Sequence, residues 1–260
     1  LPTSQAVTPI MPTRSPTSTA AATIQWFPPT HTPTPFPTPL PRQPTAEQRL
    51  GMGEVVLRDT FESRSGWLVG QYNGGTAAYS RQRLDVVTQP ALGASVVVLR
   101  SGTIPADFYF EMSVSPSLCR GKDSYGLIFR AEGELSHYRL FITCEGQVRV
   151  ERWRPAEVGV VQDWMPSGQV PAGAPITLRL GVWMFRDEMR IFINDIYQFS
   201  ARDPLLQGAQ MGVFVRAATA NSVSVSFSDL VVYRLESYMP SPVPSARPTC
   251  RLRIEPKRRI

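Results

Sequence analysis

The sequence predicts an all-β fold, a two-sheet antiparallel jelly-roll sandwich behind a disordered Pro/Thr-rich N-terminal stalk. Three observations predict it. The stretch SYGLIFRAEGELSHYRLFITCEGQVRVERWR, residues 124–154, reads as three successive strands whose alternate side chains are apolar, with Gly133 and Gly146 marking short polar turns. Runs of β-branched and aromatic residues recur at hairpin spacing through the middle of the chain, and no stretch carries a convincing helical period. Both ends are instead rich in Pro, Thr or Ser, a composition that cannot offset the entropy of ordering.

Taken in order, residues 1–48 form a Pro/Thr/Ser-rich linker, with runs such as PPTHTPTPFPTPLP. Such chains prefer extended polyproline II and act as semi-rigid spacers of about 3.1 Å per residue. The sandwich domain spans 53–236. It begins with VVLRDTFESRSGWLVG and continues through AYSRQRLDVVT, ASVVVLRSG and DFYFEMSVSP to the 124–154 meander. A loop holding Pro155, Pro166, Pro171 and Pro175 follows. The segments ITLRLGVWMF, EMRIFINDI, QMGVFVRA and VSVSFSDLVVYR then complete about ten to twelve strands. Residues 237–260 form a disordered basic tail. Parity puts Phe108, Phe110, Met112 and Val114 on one core face, and likewise Leu178, Leu180 and Val182, and Val223, Val225 and Phe227. Trp67, in the motif SGW, is expected to anchor the core near the first strand.

The formal charge of +6 is unevenly placed. Arg247, Arg251, Arg253, Lys257, Arg258 and Arg259 sit in the tail, and Arg14 and Arg42 in the linker, leaving the domain close to neutral. A nucleic-acid binder needs its basic face on the folded part, so that class is not expected. No apolar run approaches the length needed to span a bilayer, and membrane attachment would need a segment not present here. Cys119 precedes SYGLIFR and Cys144 follows HYRLFIT. A hairpin with a four-residue loop at 130–133 sets 129 opposite 134 and therefore 119 opposite 144, which predicts a Cys119–Cys144 disulfide and an oxidising, extracellular compartment.

Four stretches, DTFESRSGW, YGLIFRAEGELSHYRLFITCEGQVRVERW, ARDPLLQGAQMGVFV and VSVSFSDLVVYR, carry a resemblance. Over residues 55–236 the chain resembles the concanavalin A-like (laminin G-like) jelly-roll modules of bacterial secreted and surface proteins, and is similar to the 3-keto-disaccharide hydrolase-type domain. The resemblance implies a sandwich with a concave face that, in many members, binds glycans. The partner so implied is a carbohydrate or a cell-envelope component.

The residues themselves favour binding over catalysis. Glycoside hydrolysis needs two facing carboxylates, and catalytic jelly-roll glucanases resemble one another in a Glu-x-Asp-x-x-Glu spacing that this chain lacks. Glu111 and Glu151, the only acids well inside strand-like segments, read as solvated outer-face residues. His137 reads as a surface residue at a strand end, and one histidine in the domain cannot build a His-rich zinc site. Asp187, Glu188, Asp195 and Asp203 form no recognisable calcium loop, and no cofactor is expected. Sugar recognition instead pairs flat aromatic rings with hydrogen-bonding side chains. Arg130, Arg139, Phe141, Trp153, Trp183 and Asn194 are the candidate set. Alternation puts Arg130, Trp153 and Trp183 opposite to Phe129, Arg152 and Val182, and so on one sheet surface. Trp153, between two arginines, is the best candidate for a partly exposed ring. Trp183, between Val182 and Met184, fits a core position as readily as a ligand platform. The reading is therefore a non-catalytic extracellular module that binds a glycan or surface partner. The alternatives are a glycoside or keto-sugar hydrolase, and a structural or sensory ectodomain without a small ligand.

Overall fold

Phe108, Phe110, Met112 and Val114, with Leu178, Leu180 and Val182 and with Val223, Val225 and Phe227, all lie fully inside the protein. The alternation that groups them in sequence is the pleat of three strands at the centre of one sheet. The computed structural model describes residues 48–236. The stalk, the basic tail, Trp26, Phe27, His31 and Cys250 lie outside the described residues. Fifteen strands run in the order β1 (Met52–Asp59), β2 (Gly70–Tyr72), β3 (Gly75–Ser80), β4 (Arg83–Thr88), β5 (Ser95–Leu99), β6 (Phe108–Leu118), β7 (Ser124–Ala131), β8 (His137–Thr143), β9 (Gln147–Arg154), β10 (Glu157–Pro166), β11 (Leu178–Phe185), β12 (Glu188–Ile193), β13 (Ile196–Arg202), β14 (Gln210–Arg216) and β15 (Ser224–Leu235).

They form two antiparallel sheets. The nine-stranded sheet has the order β13-β12-β11-β6-β15-β4-β3-β2, with β1 also paired to β15. The six-stranded sheet has the order β10-β9-β8-β7-β14-β5. Their inner faces supply one continuous core. Trp67 belongs to it, 5% exposed, stacked on Phe61 at 5.6 Å and donating its indole N–H to Asp59.

The strand count exceeds the expected ten to twelve because β2 and β13 add to the strands named from sequence and because the Pro155–Pro175 segment is not all loop. Its EVGVVQDWMP portion is β10, an edge strand bulged at two points. Proline is tolerated there because an edge strand leaves one row of amides unpaired. The meander's register also differs from expectation. Phe129 faces Tyr138 rather than residue 134, and Ser124 faces Thr143. Cys119 is therefore not a ladder position. It lies just past the end of β6, Cys144 just past β8, and the two loops carry them together with 5.8 Å between Cα atoms. The disulfide is present, but loop convergence rather than hairpin register builds it.

Both ends of the described chain sit on the nine-stranded sheet. Met52 faces Leu235 across the β1–β15 ladder, and the Glu236 amide donates to the Gly51 carbonyl at 2.8 Å. Residues 48–50 then lie against the sheet's outer surface. The carbonyls of Gln48 and Leu50 accept from Arg190 and from the Trp183 indole, at 3.1 and 2.8 Å. Arg49 lies over the rings of Tyr109 and Phe192, at 5.1 and 5.0 Å, and pairs with Asp195.

Candidate functional site

The six candidate residues do not share a surface. Trp183 is on the outer face of the nine-stranded sheet, 2% exposed, under Leu50 and beside Phe185. Asn194 closes the β12–β13 turn with φ 50°, and its side-chain carbonyl accepts from the Arg179 amide at 2.9 Å. Arg130 should alternate outward after Phe129, but a bulge intervenes. The β7–β14 register shifts between Gln210 and Gly212, and Arg130 takes φ 52°, left-handed backbone that reverses the pleat locally. Its side chain, 1% exposed, turns between the sheets. There it donates to the Arg186 carbonyl and Gln207, and lies over Phe108 at 5.9 Å. Burial lowers its pKa, with Asp107 opposing. It ties the two sheets together and does not lie on the outer face of either.

The remaining three, Arg139, Phe141 and Trp153, do converge on the outer face of the six-stranded sheet. The register shows why. Trp153 faces His137, Glu151 faces Arg139, and Arg149 faces Phe141 across β9–β8. Phe141 faces Gly126 of β7, and Gly126 faces Phe214 of β14. Gly126 is required here. A Cβ at that position would run into the Leu140 carbonyl and approach the Phe214 ring at 3.2 Å. Its absence lets Phe141 and Phe214 meet edge-to-face at 4.6 Å, forming with Ile128, Ala131 and Leu99 a small apolar floor.

Polar groups stand on that floor in a fixed order. The Arg139 guanidinium, on a residue only 6% exposed, lies over Trp153 at 3.8 Å and near Phe214 at 5.3 Å. Its Nε donates to His137 Nε2 at 2.7 Å. Trp153 donates its indole N–H to Glu151 at 2.9 Å, and the other Glu151 oxygen pairs with Arg149 at 2.9 Å. Arg149 in turn lies over the ring of Trp164 at 5.3 Å. Burial pulls the Arg139 pKa down to about 10, Glu151 opposing and Arg216 adding to the drop, so Arg139 remains a cation at neutral pH. His137 is fully buried, not the surface residue expected. Burial, then the Arg139 charge, pushes its pKa down to about 3, and it serves as a neutral acceptor.

The acids are accounted for by other groups. Glu111 is on the outer face of the opposite sheet, 8% exposed, bonded to the Tyr109 hydroxyl at 2.9 Å and to Arg179 at 2.5 Å. It therefore cannot face Glu151, and neither residue is simply solvated. Glu188 pairs with Arg190 and Arg202, and Asp195 with Arg49. Asp203 is buried, accepting from the Tyr138 hydroxyl at 2.8 Å and from Arg152. Among the described residues no three His, Cys, Asp or Glu side chains gather where they would hold a metal ion.

Two grooves flank the floor and share Gly93 and Arg216. One, of about 510 Å³, runs past Tyr72, Ser95, Glu134, Arg139 and Trp153. The other, of about 380 Å³, runs past Lys122, Phe141, Glu151 and Trp164. Trp164, 38% exposed on β10, is the most open ring of the face, with Val158 and Val160 exposed on the same strand. Sequence reading does not reach Trp164, because the prolines around its strand signal a loop, nor Arg216 and Phe214, because nothing local distinguishes them from other strand residues. Trp153 is half-buried, with Arg139 against its ring. It is as much a support for Arg139 as a free platform.

No family model matches the sequence, and no curated protein matches it. The fold, however, is shared with solved structures. The chain is similar to the carbohydrate-binding module CBM66 from Bacillus subtilis, with TM-score 0.53 and 18% identity over 65% of this chain and 96% of that one. It is similar to a Bacillus subtilis protein of unknown function with a galectin-like fold, with TM-score 0.51 and 15% identity over 70% and 97%. A third likeness, with TM-score 0.53 and 8% identity over 70% and 100%, is to a structure described with endo-acting O-glycanases that human gut bacteria express to initiate mucin breakdown. At these identities the likeness establishes the concanavalin A-like sandwich, the architecture that the sequence motifs imply.

Proposed function

We propose that the domain is a non-catalytic carbohydrate-binding module whose binding surface is the outer face of the six-stranded sheet. The observation that carries this is the juxtaposition of an open ring, Trp164, with a fixed row of Arg139, Glu151 and Arg149 beside two grooves. A flat apolar ring stacks on a pyranose face, and an ordered row of charged donors and acceptors reads its hydroxyls. The likeness to the carbohydrate-binding module CBM66 supports the same reading. One Glu151 oxygen accepts from the Trp153 indole and the other is ion-paired with Arg149, which suits a hydroxyl-reading acceptor better than a general acid or a nucleophile. The disulfide, the Pro/Thr stalk and this chemistry together fit an extracellular module held away from a cell surface.

The test is a glycan array probed with the whole chain, followed by calorimetry on the hits. Trp164→Ala should weaken binding at least tenfold with the melting temperature unchanged, because the ring is not part of the core. Trp183→Phe, on the opposite sheet, should leave affinity intact. An array with no hits, or hits insensitive to Trp164 and sensitive to Trp183, would refute the assignment. Release of reducing ends from a bound glycan would show an enzyme instead.

A further inference from the structure

The larger groove contains a cation with nothing to bind. Arg139 is more than nine-tenths buried, yet only its Nε is engaged, by His137. Its two terminal nitrogens donate to no atom among the described residues. Neither terminal nitrogen is sealed from solvent, so both are open to a ligand in the groove, in place of the carboxylate or carbonyl that a buried guanidinium ordinarily has. Glu151, the acid opposite it in the register, is drawn away to Arg149 and the Trp153 indole. Arg139 cannot swing out to water freely, because Trp153 packs on it at 3.8 Å and Phe214 lies at 5.3 Å.

A second unpaired cation lines the same groove. Arg216 is exposed at the end of β14 and makes no hydrogen bond or ion pair among the described residues. It lies near enough to Arg139 to add to the lowering of that group's pKa. Ser95, opposite Arg216 in the β14–β5 register, has a buried hydroxyl without a partner. Glu134 is the one acid on this groove's lining, against two arginines.

We infer that this groove takes an oxyanion borne on a sugar, so that the glycan recognised is acidic, with the Arg139 fork and Arg216 closing on a carboxylate or sulfate ester. This rests on the glycan-binding reading and names the class of glycan. An arginine held by a ring face and by one hydrogen bond through Nε presents its planar terminal edge in a fixed direction. That geometry matches a two-oxygen acceptor and exceeds what a single hydroxyl needs. Trp164 and the second groove would then carry the neutral part of the chain.

The experiment compares oligosaccharides of one backbone in neutral, uronate-containing and sulfated forms, with polyglutamate as a non-sugar polyanion. Binding is read by calorimetry with the whole chain in moderate salt. Wild type should prefer one acidic form over its neutral counterpart at least tenfold, and the preferred arm distinguishes carboxylate from sulfate. Arg216→Gln, at an exposed position, should lose most of that preference, with affinity for the acidic form falling much further than affinity for the neutral one. Arg139→Lys keeps the charge but removes the fork and should lose it too. Equal affinity for neutral and acidic forms, unchanged by Arg216→Gln, would overturn the inference and leave the glycan reading standing. Absence of binding to every sugar would overturn both. Equal binding to polyglutamate would assign the effect to unspecific attraction, such as the basic tail provides, and would also overturn it.

Discussion

His137 makes acid sensitivity a quantitative prediction. The imidazole is fully buried, accepts a hydrogen bond from a cation, and has its pKa depressed to about 3. In the unfolded chain it would titrate near 6.5. As pH falls below that value the unfolded state takes up a proton that the folded state refuses. Stability is therefore full above about pH 6.5, declines as pH falls, and stops declining near pH 3, where the folded state also protonates. Between pH 7.5 and 5 the loss from this one group is about 2 kcal/mol. The assay is urea unfolding at the two pH values for wild type and His137→Gln, whose side-chain carbonyl can accept from Arg139 without titrating. The variant should lose about 2 kcal/mol less than wild type over that interval, since carboxylates common to both cancel. If the variant folds poorly, NMR titration of wild type decides instead, with the His137 ring staying unprotonated down to about pH 4. Equal losses in both proteins, or a His137 midpoint near 6.5, would refute the buried-acceptor argument.

Trp67→Ala should cost about 3–5 kcal/mol, because it removes a buried ring and leaves Asp59 short of a partner; a midpoint shift of that size in denaturant unfolding checks it. Tyr138→Phe should cost about 1–3 kcal/mol by depriving buried Asp203 of a donor, with glycan affinity unaltered. Reducing Cys119–Cys144, which spans 25 residues, should lower stability by about 3 kcal/mol, measured as a fall in melting temperature with reductant. Arg49→Ala should cost about 1 kcal/mol, nearly all from its contacts with Tyr109 and Phe192 rather than from the exposed Asp195 pair, so added salt should change the cost little.

Periodicity and its interruptions account for what was legible in the sequence. Where a strand is regular, as in Phe108–Val114 or Leu178–Val182, alternation alone names the buried face. The same rule fails at Arg130, where one left-handed residue turns the side chain inward, and such a bulge has no signature in the neighbouring letters. β10 was hidden by prolines that an edge strand tolerates. Partnering between sheets is a matter of topology, so no local pattern could say that Trp183 and Trp153 lie on opposite sides of the molecule. Three of the six candidate residues nonetheless share a surface because the meander was read correctly as consecutive strands. What strand parity could not supply was β14, which joins the meander at β7 and brings Phe214 and Arg216 to the same face.

The β1–β15 pairing also governs how the domain answers to load. Its two chain ends emerge side by side, at Gly51 and Glu236, on the sheet opposite the proposed binding face. Tension drawn between those ends would open the ladder like a zipper, one rung after another from Met52–Leu235 inward, a mode that yields at low force. Tension drawn between a captured ligand and the N-terminal end enters instead through the interior strands β8 and β9, and reaches β1 only across the packed core. In both cases Arg49, laid over Tyr109 and Phe192, is a latch on the N-terminal segment that must lift before β1 is loaded. A module pulled by its ligand would therefore hold longer than one stretched along its own backbone.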